Sequence, residues 1–453
     1  MTSSNSNLRQ DFLKLYWPLM VEQVFMMLIG NVNVFLFSLY NDQIVAAIGL
    51  ADQVLAIGTM AMGIVSLGAT ILFLQNADLD RLDYFQGVAR QSILLNVCLG
   101  LLIGLLALTS GYPIMSLMQT PHDILAESVT YFRIVSFSLA FQAISTSASA
   151  LMRSFGKVQV AMTVSIINTL LVISGNALVL LTPFGLFGQG IMGISVATLF
   201  TRFLGAVLSL LCIRQILPLV WKGLGHFQVK DWQIGQRMLA LGIPSGMENV
   251  SYNFSQTIIT AVIASLGTIQ VNARIYTQTI TAIVFTLSVA AGQAVQVIVG
   301  RLVRRKEVKQ AQAFAVKTTL SFMGLGLILN LLLAFFGPWI LGIFTQNSEI
   351  IAIARILLWL NALYDPARVG NEIMIASLNV MGDVRYPVVI AVIVTYLFTV
   401  PVAFLIGRVW HWGIAFIWLV FIIDEGFRLW LFIRRWNRGQ WMEQALYYQK
   451  DDV

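Results

Sequence analysis

Charge is what this sequence has least of. Only 11% of its 453 residues are Asp, Glu, Lys or Arg, against 58% hydrophobic, whereas soluble domains carry about 25% charged and 45–50% apolar residues. So few charges cannot clothe a water-soluble chain of this length. Cysteine is scarce as well. Cys98 and Cys212 are the only two, each inside a different apolar stretch, which excludes a disulfide framework. The three histidines, His122, His226 and His411, all fall in expected loops, which disfavours acyl transfer by a buried histidine base. The sequence contains no GxxxxGK[ST] loop, which argues against ATP-driven pumping within the chain.

Long apolar runs take the place of what is missing, with a mean hydropathy of +0.81. A spanning helix needs about 20 mostly apolar residues, because lipid offers no partner for backbone N–H and C=O groups. Twelve such segments are expected, near 12–39, 46–74, 84–110, 124–152, 157–181, 189–214, 237–266, 270–299, 312–344, 350–380, 385–407 and 412–435. The first is long, carries Glu22 and lacks a small-residue cleavage site, so it reads as a retained span and not a removed signal peptide.

The net charge of +7 does not point to nucleic acid once each basic residue is placed. Arg9 and Lys14 precede the first span. Arg81 and Arg90, Arg153 and Lys157, Lys222 and Lys230, the run from Arg301 to Lys309, Arg385, and Arg434, Arg435 and Arg438 fill every second connection, and the intervening loops hold only Arg408. By the positive-inside rule both termini are cytoplasmic. The expected setting is a multi-pass protein of the cell membrane, a monomer surrounded by lipid.

An internal repeat organises the spans. WPLMVEQV (17–24) begins the first span as IPSGMENV (243–250) begins the seventh: Pro244 − Pro18 = 226 and Glu248 − Glu22 = 226. ALMRSFGKV and ASLNVMGDV end the fourth and tenth spans with Gly382 − Gly156 = 226, and Arg202 and Arg428 keep the same offset. A six-helix unit has been duplicated, and an even span number makes the repeats parallel. The fold expected is an all-α polytopic membrane protein of twelve transmembrane helices. Its N-terminal lobe runs over 1–225, with the start of the connecting loop. Its C-terminal lobe and short cytoplasmic tail run over 226–453.

Parallel repeats commonly hold a substrate site near the bilayer midplane. Glu22 and Glu248 lie about 16 Å into their spans at 1.5 Å per residue, close to the middle of a hydrocarbon core of about 30 Å. A charge there costs about 2.5–3.5 kcal/mol on insertion scales, so both acids call for water, a proton or a cation. Around them run polar stripes. Glu248, Tyr252, Ser255 and Gln256 share a face of the seventh span, and Asn33 shares a face with Glu22. Asp52 interrupts IGLADQVLAI, Arg274, Gln278 and Thr281 recur at helical spacing with Tyr276 nearby, and YDPARVGNEI carries Asp365, Arg368, Asn371 and Glu372. Plainer roles compete: the glutamates can cap backbone freed by Pro18 and Pro244, Asp365 with Arg368 fits an i,i+3 ion pair, and Asp424 with Arg428 fits an i,i+4 pair.

The PxxxE start of each half, LMRSFGKV with its counterpart LNVMGDVRYP, GQAVQVIVGRLVRR and the last helix IIDEGFRLWLFIRRWNRGQW together resemble the multidrug and toxic compound extrusion (MATE) transporters over nearly the full length. The resemblance implies two six-helix lobes forming a V-shaped central cavity. It also implies export of organic, often cationic, small molecules by antiport against H⁺ or Na⁺, with no cofactor. An aspartate of the family's first span is replaced here by Asn33, which cannot carry a titrating proton but can offer its carbonyl oxygen to a cation. Coupling is therefore expected at Glu22, Asp52 and Glu248, with Na⁺ near Glu22, Asn33 or Glu248.

Two other classes fit less well. A lipid-linked precursor flippase of the same broader superfamily would line its cavity with several arginines, and here acids at least match Arg274 and Arg368. An intramembrane enzyme holding Mg²⁺ at Asp78, Asp80 and Asp83 would need a second aspartate cluster, which the sequence lacks; a solvated acidic loop accounts for these residues.

Overall fold

The computed structural model describes residues 2–38, 42–75, 82–118, 120, 122–181, 190–224 and 230–442. Asp78, Asp80 and His226 lie outside the described residues, as does the side chain of Asn33. The helices are α1 (Thr2–Ser38), α2 (Asp42–Gln75), α3 (Leu82–Leu117), α4 (His122–Ser154), α5 (Val158–Leu181), α6 (Gly190–Ile216), the short α7 (Pro218–Gly223), α8 (Lys230–Ala264), α9 (Thr268–Arg304), α10 (Val308–Phe344) and α11 (Ser348–Val380). Next come α12 (Arg385–Val394) and α13 (Val400–Phe404), which continue through π-helical turns at Thr395–Thr399 and Leu405–Val409 as one span, and finally α14 (Ile414–Asn437).

Among the described residues twelve long helical segments result, one for each of the twelve apolar stretches of the sequence. Among the described residues, nine are long and apolar enough to cross a membrane. The other three are α1, α8 and α14; α8 and α14 are the helices whose polar stripe and charged residues dilute their apolar character. This is an all-α polytopic membrane fold.

The duplication is visible in backbone geometry. Gly156 (φ 74°) and Gly382 (φ 81°) adopt the left-handed conformation just past the ends of α4 and α11. At the first, Lys157 N donates to Met152 O and Gly156 N to Arg153 O; at the second, Asp383 N donates to Leu378 O and Gly382 N to Asn379 O. Both ends close with the same glycine cap, because only glycine enters that conformation without a Cβ penalty.

The chain divides into two compact units, residues 24–246 and residues 1–23 with 247–453. The division falls inside α1 and α8, not at the 225/226 boundary of the sequence repeats. Packing units and sequence repeats are therefore different partitions of this chain.

In the first unit (24–246) α4 packs against α2, α3 and α6, around a core that includes Leu139, Val135, Ile194 and Met115. Lipid supplies no hydrophobic drive between helices, so small residues at the crossings let backbones approach. A Cβ added at Gly68 of α2 would lie 2.1 Å from Met238 O, and one at Gly242 of α8 would lie 2.3 Å from Ile64 O. At the end of this unit Arg90 of α3 donates from Nε and Nη2 to both oxygens of Asp231, each at 2.8 Å. Both partners are buried. That two-pronged pair ties the start of α8 to α3.

In the second unit α11 packs against α9, α10 and α14, with Trp418, Leu357, Ile417 and Leu341 in the core. The first part of α1 belongs here: Phe12 meets Phe314 and Phe322 edge-on, and Tyr16 meets Phe322. The π-helical turn at Thr395–Thr399 carries Thr399 onto Asp424 of α14, hydroxyl to Oδ2 at 2.7 Å. Tyr396 of the same turn donates to Ser251 O of α8 at 3.0 Å. Such turns re-aim side chains within a helix, and here both hydroxyls are aimed at helices that build the site.

Candidate functional site

Within the second unit a pocket of about 430 Å³ opens among α8, α9, α11 and α14. Tyr252 and Gln256 reach it from α8, and Arg274, Gln278 and Thr281 from α9, so the helical stripe read on α9 faces it in full. Arg368 and Tyr364 reach it from α11. Arg274 Nη2 donates to Gln256 Oε1 at 2.7 Å, and the residue is 3% exposed. Arg368 lies flat on Phe285, 3.7 Å from the ring centroid, with Tyr252 and Tyr364 each at 5.9 Å. A guanidinium against Phe285 with two more rings within about 6 Å is held by cation–π attraction.

The pocket wall is fixed by a chain of hydrogen bonds. Trp418 Nε1 donates to Asn361 Oδ1 at 2.7 Å, Asn361 Nδ2 donates to Thr281 Oγ1 at 3.2 Å, and Thr281 donates to the Thr277 carbonyl. Three helices are thereby joined around one indole.

Beside the pocket, acids gather around one arginine. Arg428 donates from Nε to Asp424 Oδ1 and from Nη2 to Glu425 Oε1, both at 2.6 Å. Asn371 Nδ2 donates to Glu425 Oε2 at 2.6 Å and to the Glu425 carbonyl at 2.9 Å. Glu248 lies within electrostatic reach of Arg428, Glu372 and Glu425. Among the described residues neither Glu248 nor Glu372 forms a direct ion pair or hydrogen bond. Asp424 and Glu425 thus bond one guanidinium with Glu248 near it, while Glu372 lies near Arg368.

Several expected positions differ from the sequence reading. Asp365 and Arg368 do not form a direct i,i+3 ion pair; Arg368 turns to Phe285, and Asp365 is buried at 2% exposure outside the pocket, with Asn330 and Arg368 in its surroundings. Tyr276 packs on Phe344, ring centroids 5.6 Å apart, and does not line the pocket. Ser255 is buried and donates to the Tyr252 carbonyl at 2.7 Å. Glu22 is buried in the part of α1 that belongs to this same unit. Among the described residues no three His, Cys, Asp or Glu side chains gather closely enough to hold a metal ion.

Asp52 lies in the first unit and has its own partners. Tyr131 donates its hydroxyl to Asp52 Oδ1 at 3.1 Å, and Arg202 lies in the electrostatic surroundings of both. Arg202 Nη1 also donates to Ser138 Oγ at 2.7 Å. Asp52 thus has a cation nearby without a direct ion pair to it.

The sequence reading missed Asn361, Trp418, Phe285, Tyr364 and Glu425. A signal existed for two of them: Asn361 is the lone amide in LLWLNALYD, four residues before Asp365, and Glu425 adjoins Asp424 in IIDEGFR. The three aromatics carry no mark that separates them from lipid-facing ones.

Known proteins bear on this arrangement. The sequence matches the MatE family over residues 18–178 and again over 244–405, and the two matches start 244 − 18 = 226 residues apart, the chain's own repeat length. A Bacillus subtilis relative named "Uncharacterized transporter YisQ" is 29% identical, covering 96% of each chain. A Thermotoga maritima relative named "Probable multidrug resistance protein NorM" is 22% identical over 97% of this chain and 94% of its own. The fold is that of the Vibrio cholerae MATE transporter VcmN in its bent form, with a TM-score of 0.86, 17% identity and coverage of 98% and 99% of the two chains. A MATE protein in complex with MaD3S gives a TM-score of 0.83 at 16% identity, over 96% and 97%. With the family pattern matched twice along its length, this chain belongs to the MATE family of membrane transporters.

Proposed function

We propose that the protein is a secondary active exporter of drug-like organic molecules, antiported against H⁺ or Na⁺ by alternating access. Relatives named as probable multidrug resistance proteins support the export of such compounds. The observation that carries the coupling is the excess of acid in membrane-spanning helices: Asp365 and Glu372 lie near Arg368, and Asp424, Glu425 and Glu248 lie near Arg428. Asp424 and Glu425 are bonded to that arginine, which leaves Glu248 and Glu372 to take up a proton or a cation. An uncompensated intramembrane carboxylate is costly, and occupancy by a positive ion relieves the cost. Glu248 is the principal coupling group and Glu372 its neighbour; Glu22, buried at the equivalent position of the other repeat, is the second candidate.

In this cycle the ion binds while the site is open outward, substrate leaves, and the ion is released inward before new substrate binds. The sequence repeats, divided near 225/226, supply the two halves of that motion. Both termini lie in the cytoplasm, and the protein works as a monomer in the cell membrane.

The experiment is efflux of fluorescent organic compounds from proteoliposomes, under an imposed proton gradient and separately under a Na⁺ gradient. Wild type is compared with Glu248→Gln. Gradient-driven transport that disappears in the variant, while its melting temperature is kept, is expected. Undiminished transport by the variant removes Glu248 from the coupling.

A further inference from the structure

We propose that the pocket among α8, α9, α11 and α14 binds an organic anion, an aromatic body with an oxyanion head such as a carboxylate or phosphate, held by Arg274 and Arg368. This deepens the exporter reading and rests on it for the fate of the ligand, though not for the binding itself.

The lining decides the charge. Two guanidiniums face the pocket and no Asp or Glu lines it. Arg274 spends one nitrogen on Gln256, while its Nη1 is buried without an acceptor. Its electrostatic neighbours are the hydroxyl-bearing Tyr252 and Tyr364, not carboxylates. Arg368 rests on aromatic rings and forms no direct ion pair among the described residues; Asp365, Glu372 and Glu425 lie in its electrostatic surroundings but not in the lining. Guanidinium does not lose its proton in proteins. Arg368 has carboxylates in its surroundings but none bonded to it, and Arg274 has none near it; an intramembrane charge without a bonded negative partner is a functional-site signal.

The remaining walls describe the rest of the ligand. Phe285, Tyr252, Tyr364, Trp418 and Phe421 give flat apolar faces, suited to stacking an aromatic body. The volume of about 430 Å³ lies in the range of roughly 300–1,000 Å³ usual for small-molecule sites. An organic cation, the class the family resemblance implies, would meet both guanidiniums and be repelled. Substrate and coupling ion then use different groups, the anion on Arg274 and Arg368 and the ion on the neighbouring acids.

The test is calorimetric titration of the purified full-length protein in detergent with three probes that share one ring system: 1-naphthoate, 1-naphthyl phosphate and 1-naphthylmethylammonium. At least one oxyanion is expected to bind about tenfold or more tightly than the ammonium, since hydrogen bonds to charged groups are worth that much. Arg274→Gln should weaken that binding by about tenfold, and Arg274→Lys by less, because charge is kept and the planar fork lost. Arg368→Gln serves as the second variant should Arg274→Gln not fold. Equal or tighter binding of the ammonium, or oxyanion binding that survives both glutamine substitutions, overturns the proposal, as does a folded wild type that binds no probe. Binding of the oxyanion without transport under either gradient would keep this site and remove the exporter reading.

Discussion

Asp424 and Arg428 lie one turn apart on α14, and the arginine's Nε donates to the aspartate's Oδ1 at 2.6 Å, with both side chains buried. Two further groups of the pair are also used: Nη2 reaches Glu425, and Thr399 donates to the other aspartate oxygen. Desolvating a charge pair is repaid only when such extra bonds are present.

Removing one partner from this cluster should be severe. Arg428→Met leaves two buried carboxylates without their cation, and a loss of about 3–5 kcal/mol is expected. Thr399→Val removes a single hydrogen bond to a charged group and should cost about 1.5–3 kcal/mol. Thermal melting of the purified variants in detergent checks the order. A Thr399→Val protein less stable than Arg428→Met would contradict it.

The indole of Trp418 gives a second prediction. Trp418→Phe keeps an aromatic face in the pocket but leaves Asn361 Oδ1 without its donor, at a cost of about 1–3 kcal/mol. Adding Asn361→Leu to that variant removes the stranded acceptor along with its bond to Thr281. The double variant should be less destabilised than the sum of the single changes, since replacing both partners spares the unsatisfied group. Melting curves of the three variants form the cycle, and strict additivity would show that the bond does not organise the pocket.

Two glycines of α2 make a paired test of helix approach. Gly68→Ala puts a Cβ 2.1 Å from the Met238 backbone oxygen, whereas Gly63 has nothing within 4 Å. Gly68→Ala must part α2 from α8 and should lose about 1–3 kcal/mol, while Gly63→Ala should be neutral or gain a few tenths through helix propensity. Melting temperatures of the two variants decide it; matching values would mean that α2 and α8 do not depend on contact at Gly68.

Much of the site was legible along α8 and α9, where a period of 3.6 residues put Tyr252, Gln256, Arg274 and Gln278 toward one pocket. Periodicity erred at Ser255, whose hydroxyl bonds its own helix, because a short polar side chain can satisfy itself on the backbone four residues or fewer away. It left two roles open for Asp365 and Arg368. Spacing allows an i,i+3 pair, but Phe285 from another helix offers the guanidinium a face at 3.7 Å, and no pattern within α11 records that neighbour.

The sequence by itself determined what each segment must be. Apolar length in the absence of charge requires spanning helices, since lipid satisfies no backbone group, and the 226-residue offset carries the duplication down to matching glycine caps. What only the tertiary structure decided is which charges meet. Tyr131 and Arg202 attend Asp52, and Arg274 and Arg368 remain facing a pocket without an acid. Those outcomes depend on long side chains choosing among partners on helices far apart in the chain. Helical spacing sets the face a residue occupies, but packing across helices selects its partner.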